Sequence, residues 1–275
     1  MSLNSVNTNT GAMIALQSLN AINNEYAQVQ RRISTGLKIA SAKDNPAIWA
    51  IAQNMRGESK SLDAVMSSLQ RGQSVVDTAL TAGESISDIL SQMKEKALAA
   101  TEDGLSTATR QALSDEYVAL RKMINTVAAN ASFDGVNLIS AGSTGNIRAL
   151  ADTRANSSID VDHIDLSTTG TAISSTLTGL MGGVATADID AIDAAIQKVS
   201  SALSKFGVGA KSLDRHLDMI SKRQDTIDAG IGNLVDADLA KESARLKSLE
   251  VKQQLAIQAL RIANQTPSLL LSLFR

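Results

Sequence analysis

Apolar residues recur along this chain in steps of four and three over most of its length. From Ile192 the steps land on Ile196, Val199, Leu203, Phe206, Ala210, Leu213, Leu217, Ile220, Gln224, Ile227, Ile231 and Leu234. A period near 3.5 is the pattern of coiled-coil packing, so this tract predicts one long helix seamed against another. At a helical rise of about 1.5 Å per residue it would be about 65 Å long, which describes a rod. A similar stripe near the other end runs through Leu16, Leu19, Asn23, Tyr26, Gln30, Ile33 and Leu37, flanked by Ile22 and Val29. The fold class expected is mainly α: a long antiparallel bundle or coiled coil built from the N- and C-terminal regions, with a small β-hairpin-containing segment between them.

Punctuation divides the pattern into elements. A first helix is expected from about residue 11 to Gly36, a residue suited to a left-handed stop. The preceding residues are mostly Asn, Ser and Thr and are expected to stay disordered until something orders them. After a short link, Asn45 reads as an N-cap with Pro46 at the first helical position. The second helix should reach about Thr101, with a stripe through Leu62, Met66, Leu69, Val76, Leu80, Leu90 and Ala97 weakened by Gly57, Gly72 and Gly83. Asp103-Gly104 turns the chain into a third helix carrying Leu113, Tyr117, Leu120, Ile124 and Val127. Ser, Thr and Gly then dominate; Asp134-Gly135 predicts a tight hairpin turn. Ile159 and Val161 alternate with Asp160 and Asp162 until the parity breaks at His163, as in a half-buried strand. Short strands and loops exposed at the outer end of the rod are expected there. Gly230 and Gly232 should weaken or kink the long fourth helix. A last helix through Leu239, Leu246, Leu249, Leu255, Ile257 and Leu260 is expected to end at Pro267.

Composition narrows the class. Cysteine is absent, and the six aromatic residues are Tyr26, Trp49, Tyr117, Phe133, Phe206 and Phe274. Ala, Leu, Ile and Ser suit slender helical bundles better than a thick core. The formal net charge is −2 with both signs interspersed, and the basic pairs Arg31-Arg32, Arg121-Lys122 and Lys222-Arg223 lie far apart. Solvated helix faces explain them better than a nucleic-acid footprint, which needs clustered basic charge. No segment has the apolar length of a membrane span. The first charge is Glu25, and Asn, Ser and Thr interrupt the hydrophobic N-terminal stretch, so a secretory signal is not expected. Leu269, Leu270, Leu271, Leu273 and Phe274 crowd the C-terminus, and such a patch implies a partner.

Candidate chemistry is sparse. Asp160-Val161-Asp162-His163-Ile164-Asp165 gathers carboxylates and an imidazole, but a calcium loop wants glycine at its sixth place and glutamate at its twelfth, where Asp165 and Thr171 stand. An acidic strand face is the better reading. His216 lies beside a heptad position with no ligand at metal spacing. Gly207-Val208-Gly209 sits inside a helix and follows no strand, so it does not cradle phosphate. No catalytic, cofactor or metal site is expected, and the chain is not expected to be an enzyme.

The ends, however, resemble those of bacterial flagellins. Val6-Asn7-Thr8-Asn9, then Ser34-Thr35-Gly36-Leu37-Lys38-Ile39-Ala40-Ser41-Ala42-Lys43-Asp44-Asn45-Pro46-Ala47 and Ala50-Ile51-Ala52, are similar to that family's N-terminal motifs. Phe133-Asp134-Gly135-Val136-Asn137-Leu138 is similar to another. Asp236-Ala237-Asp238 with Ala240 and Glu242, and Ala263-Asn264-Gln265-Thr266-Pro267 with Leu271 and Leu273, match at the C-terminal end. The family's arginine before Asp236 is replaced by Asn233-Leu234-Val235. Of the stretch matching the family's innate-receptor motif, Ser91 to Ala99, only Glu95 and Ala97 coincide.

The resemblance implies a short flagellin, a structural subunit that self-assembles into the flagellar filament for swimming motility. It implies assembly segments at 1–43 and 236–275, rod helices at 44–130 and 187–235, and a surface-exposed central segment at 131–186. The implied assembly residues are Leu16, Leu19, Ile22, Tyr26, Val29 and Ile33 on the first helix. On the last they are Asp236, Asp238, Leu246, Ile257, Leu260, Asn264, Gln265, Pro267, Leu271 and Leu273. Gly36, Lys43, Asp44, Asn45 and Pro46 form the linker, and Ile196, Val199, Leu203, Phe206, Leu213, Leu217, Ile220 and Ile227 the rod seam. Implied partners are further copies of the chain, the type III export apparatus, a chaperone on the C-terminal helix, and cap and junction proteins, with no nucleic acid and no membrane insertion. The implied location is the extracellular filament, reached without a cleaved signal. A hook–filament junction protein and a cytoplasmic coiled-coil adaptor are the competing readings.

Overall fold

The computed structural model describes residues 8–142, 145–168, 170, 173 and 186–272, without the side chains of 186–188 and 266–272. The described residues contain helices α1 (Thr10–Thr35), α2 (Pro46–Ala100), α3 (Thr107–Asn130), α4 (Thr186–Val235) and α5 (Leu239–Ser272). Strands β1 (Ser132–Phe133) and β2 (Val136–Asn137) form one antiparallel pair, and β3 (Ile147–Leu150) and β4 (Ser158–Val161) another. The chain divides into two compact units, one from 1–57 and 226–275, the other from Glu58–Asp225.

In the second unit the α4 heptad frame is read out directly. Ile192, Val199, Phe206, Leu213 and Ile220, each seven residues after the last, are all fully buried, and Ile196, Leu203 and Leu217 between them are half-buried. The α2 frame is equally regular, with Leu62, Leu69, Val76, Gly83, Leu90 and Ala97 buried. The two helices run antiparallel. Lys94 pairs with Asp193 at 2.5 Å, Gln224 donates to Asp63 at 2.8 Å, and Arg223 pairs with Glu58. Gly83 belongs to this seam instead of weakening it: a Cβ there would stand 2.6 Å from Leu203 Cδ2. The small residue lets α2 and α4 close on a leucine.

Helix α3 starts on Ser106, whose hydroxyl accepts the Thr109 N–H at 3.1 Å, and buries Tyr117, Ile124 and Ala128. Asp134 and Gly135 take φ of 51° and 77°, the left-handed pair that a two-residue hairpin requires. Directly after it, buried Asn137 organises the chain. Its amide donates to Ala128 O at 2.7 Å while its Oδ1 accepts the N–H groups of Ile139 (2.9 Å) and Ser140 (3.0 Å).

The described part of 131–186 carries exposed residues and a set of buried ones. Leu138, Ile139, Ile147, Ala149, Val161, Leu166 and Ile173 are buried. The β3–β4 hairpin packs on the flanks of helices: Leu150 N–H donates to Ser68 Oγ (3.1 Å), His216 Nε2 donates to Ala151 O (2.7 Å), and Val161 lies against Gly209. Enough apolar side chains punctuate the Ser, Thr and Gly background to bury part of the segment against the helices. Strand β4 ends at Val161, so the parity break near His163 marks the end of the strand.

Helix α4 continues through Gly230 and Gly232 to Val235, with Ile231 and Leu234 packed on a cluster of Ile39, Ala52 and Val235. One correction concerns a helix end. Helix α5 does not stop at Pro267 but continues to Ser272. A proline there deprives the carbonyl four residues back of its helical donor. That carbonyl belongs to Ala263, and Asn9 Nδ2 donates to it at 2.7 Å.

Candidate assembly surface

The first unit brings the two ends of the chain together. Helix α1 ends on Gly36, with φ of 72°, and Asn9 caps its start by accepting Ala12 N–H at 3.0 Å. Helices α1 and α5 pack antiparallel, as the pairs Arg32–Glu242 (3.1 Å), Glu25–Arg245 (3.3 Å), Asn23–Gln253 (2.8 Å) and Asn9–Ala263 show. Along α1 the seam is made by Ala12, Ala15, Leu19, Ile22, Tyr26, Val29 and Ile33, with Ala27, Gln28 and Arg32 half-buried beside it. On α5 they are Glu242, Leu246, Leu249, Gln253, Ala256, Leu260 and Ala263. Each set steps by three and four, so the interface is a two-helix heptad seam.

This seam is rotated from the stripe read off the sequence. Ile22 and Val29, taken as flanking, lie in it, and Val29 is the most buried residue of α1; Leu16, Asn23 and Gln30 are exposed beside it. Helix α1 carries apolar residues on more than one side, and only the partner's face decides which side is covered. On α5, Leu246 and Leu260 are in the seam, whereas Ile257, Asn264 and Gln265 are exposed. The side chains of Pro267 and Leu271, and all of Leu273, lie outside the described residues.

A second apolar stripe therefore stays uncovered. Val251, Leu255 and Ile262, one heptad face of α5, are 57%, 57% and 67% exposed, and Met13, Ile14 and Leu16 are exposed on α1. Isolated exposed leucines are ordinary, but a stripe of several on paired helices marks an interaction surface.

The linkers at the base of this pair clasp each other. Lys38 N–H donates to Val235 O at 2.7 Å, Ala237 N–H to Gly36 O at 2.9 Å, and Leu37 bridges Asp236. Leu37, Ile48 and Trp49 pack on the cluster of Ile39, Ala52 and Val235 beneath. Asp238 caps α5 through Lys241 N–H (3.1 Å), and Asn45 caps α2 through Ile48 N–H (3.2 Å). Asp44 Oδ2 accepts from Ala40 and Ser41 N–H and from the Ser41 hydroxyl. The Ser41 N–H, foremost, holds the Asp44 carboxyl below its ordinary pKa; burial opposes it, and the Ser41 hydroxyl, the Ala40 N–H and the Arg32 charge add smaller lowering effects. Lys43 is exposed beside it. Asn9 and Glu242 stand in the sequence only as members of the terminal motifs, and Arg32 only as half of a basic pair. Glu242's charge on a seam position, seven residues before Leu249, was the available signal.

The described residues thus present the two terminal helices side by side, tied at one end by a backbone clasp, with an apolar face left over. Such an arrangement suits a structural helical protein. Comparison with known proteins gives the same class. The model of the bacterial flagellin N-terminal helical region matches residues 6–144, and that of the C-terminal helical region matches 189–274. The chain is 51% identical to flagellin FljK of Caulobacter vibrioides over 275 residues, covering 100% of both. It is 36% identical to a flagellin of Brucella melitensis, over 98% of this chain and 99% of that one. A solved structure assigned to a flagellar hook-associated protein of Vibrio parahaemolyticus covers 70% of this chain and 100% of its own, with TM-score 0.57 at 15% identity, a likeness of fold alone. The chain belongs to the bacterial flagellin family. It is a structural protein, a subunit of the flagellar filament, and a short flagellin without a large outer domain.

Proposed function

We propose that α1 and α5, within 1–43 and 236–275, are the segments through which this flagellin polymerises, and that 44–130 and 187–235 form the rod around them. The observation that carries this is the uncovered stripe Val251, Leu255 and Ile262 on a helix whose other face is already occupied by α1. A heterologous contact that repeats without closing produces a helical polymer, and it needs a sticky face of this kind. Gly36, Lys43, Asp44, Asn45 and Pro46 then set the geometry between assembly segment and rod. The outward parts of 131–186 face solvent.

The same stripe needs cover before assembly, which supports a chaperone on α5 during passage through the type III export apparatus. Cap and junction proteins at the filament ends would meet the same face. Neither nucleic acid nor membrane enters this reading, and no catalytic role is assigned. Among the described residues no helix is long and apolar enough to cross a membrane. The extracellular filament is its place of work.

The test is Leu255→Asp in the full chain. Because Leu255 is exposed, the helical content of the monomer should be unchanged, while seeded polymerisation followed by negative-stain electron microscopy should yield no filaments. A chain lacking residues 236–275 should likewise yield no filaments. Filaments of normal length and yield from Leu255→Asp would overturn the proposal.

A further inference from the structure

We infer that the Arg32–Glu242 ion pair is a register lock: it sets which heptad of α5 faces which heptad of α1, and so where the outer stripe is presented for polymerisation. The inference rests on the assembly role given to that stripe above. The need for a lock follows from the seam itself. Beside Leu19, Ile22, Tyr26, Ile33, Leu246 and Leu260, its members include Ala12, Ala15, Gln253, Ala256 and Ala263, and its most buried apolar residues are Val29 and Leu249. A slide of one heptad first requires the Lys38–Val235 and Ala237–Gly36 clasp to open; once it does, every seam position again faces a seam position, and the small and polar seam residues discriminate poorly between registers.

The polar contacts do discriminate. Arg32 Nη1 reaches Glu242 Oε1 at 3.1 Å with side chains only 20% and 11% exposed. Sliding α5 by seven residues one way puts Arg32 against Leu249. Sliding it the other way puts Glu242 beside Glu25 and Tyr26. Either strands a largely buried charge, and the second adds repulsion. The Asn23–Gln253 bond and the Asn9–Ala263 bond are lost in both slides, and the second of these occupies the carbonyl that Pro267 leaves without a helical donor.

The pair is also not optimised for stability. Arg32 Nε and Glu242 Oε2 are both buried without a hydrogen-bond partner among the described residues. A half-satisfied buried ion pair is a poor source of stability, and fixing register or assembly state is the best-attested use of such groups.

The chain has no cysteine, so disulfides can report register. A Cβ at position 11 would lie 3.9 Å from Ala263 Cβ, within disulfide range. Gly11→Cys with Ala263→Cys therefore reports the native register, and Gly11→Cys with Ala256→Cys the register slipped by one heptad. In the parent chain only the first pair should cross-link. With Arg32→Leu and Glu242→Leu together, both pairs should cross-link, helical content should persist, and filament yield should fall at least tenfold. The charge-swapped chain, Arg32→Glu with Glu242→Arg, should restore the single cross-link and assembly, including if the double-leucine chain fails to fold. Native-only cross-linking with undiminished filaments in the double-leucine chain would overturn the lock, as would failure of the swap to restore either readout. The cross-links are read on monomer as well as filament. Loss of the assembly reading, seen as polymerising Leu255→Asp, is thereby separate from loss of the lock.

Discussion

Replacing Gly83 by alanine tests whether the α2–α4 seam is as tight as its geometry implies. Two effects compete. In a helix interior alanine is favoured over glycine by about 0.8–1 kcal/mol. The added Cβ, however, would stand 2.6 Å from Leu203 Cδ2, with Leu166 Cδ1 at 3.7 Å on another side. Contacts that short force a rotamer or backbone shift, and overpacking of this kind costs about 1–3 kcal/mol. Gly83→Ala should therefore destabilise the chain by about 1 kcal/mol. Gly207, on α4 in the same unit, meets nothing within 4 Å at its Cβ position. Gly207→Ala should express propensity alone and stabilise by nearly 1 kcal/mol. Urea unfolding of the monomer, followed by circular dichroism at 222 nm, would show the two midpoints moving in opposite directions. In a Leu203→Ala background the obstruction is gone, and Gly83→Ala should change sign and stabilise, a coupling that a double-mutant cycle isolates. If Gly83→Ala raises the midpoint as much as Gly207→Ala does, the close approach at Gly83 is refuted.

Asn137→Ala should destabilise by about 2–4 kcal/mol, because it orphans the Ala128 carbonyl and the Ile139 and Ser140 N–H groups in a buried site; thermal melting of the monomer measures this, and a midpoint unchanged within error would contradict it. The Asp44 carboxyl, lowered in the folded chain, contributes stability to the linker above its ordinary pKa and loses it as pH falls through the lowered folded value. Amide shifts of Ala40 and Ser41 should thus titrate in acid, below the ordinary carboxylate range. In Asp44→Asn that titration should vanish, and its persistence would assign the transition to another group.

Periodicity by itself determined the long helices. Leu213, Leu217 and Ile220 could be placed on one face of α4 because a large apolar residue every third or fourth position leaves one solution for a buried stripe. Local chemistry likewise determined the stop at Gly36, the start at Pro46 and the turn at Asp134-Gly135, where a φ requirement or a missing N–H acts within a few residues of chain. Beyond that reach the tertiary structure decided. Which side of α1 is covered depended on α5, since Leu16 and Ile22 are equally apolar and only one can face the partner. At Pro267, which α5 passes, the carbonyl that proline leaves bare finds its donor in Asn9, more than two hundred positions away. The pairing of Arg32 with Glu242 had the same character: each charge looks like an ordinary solvated side chain until the two ends of the chain are laid against each other. A sequence states its local constraints in order along the chain. Contacts between its ends exist only once the backbone has brought them within a few ångströms.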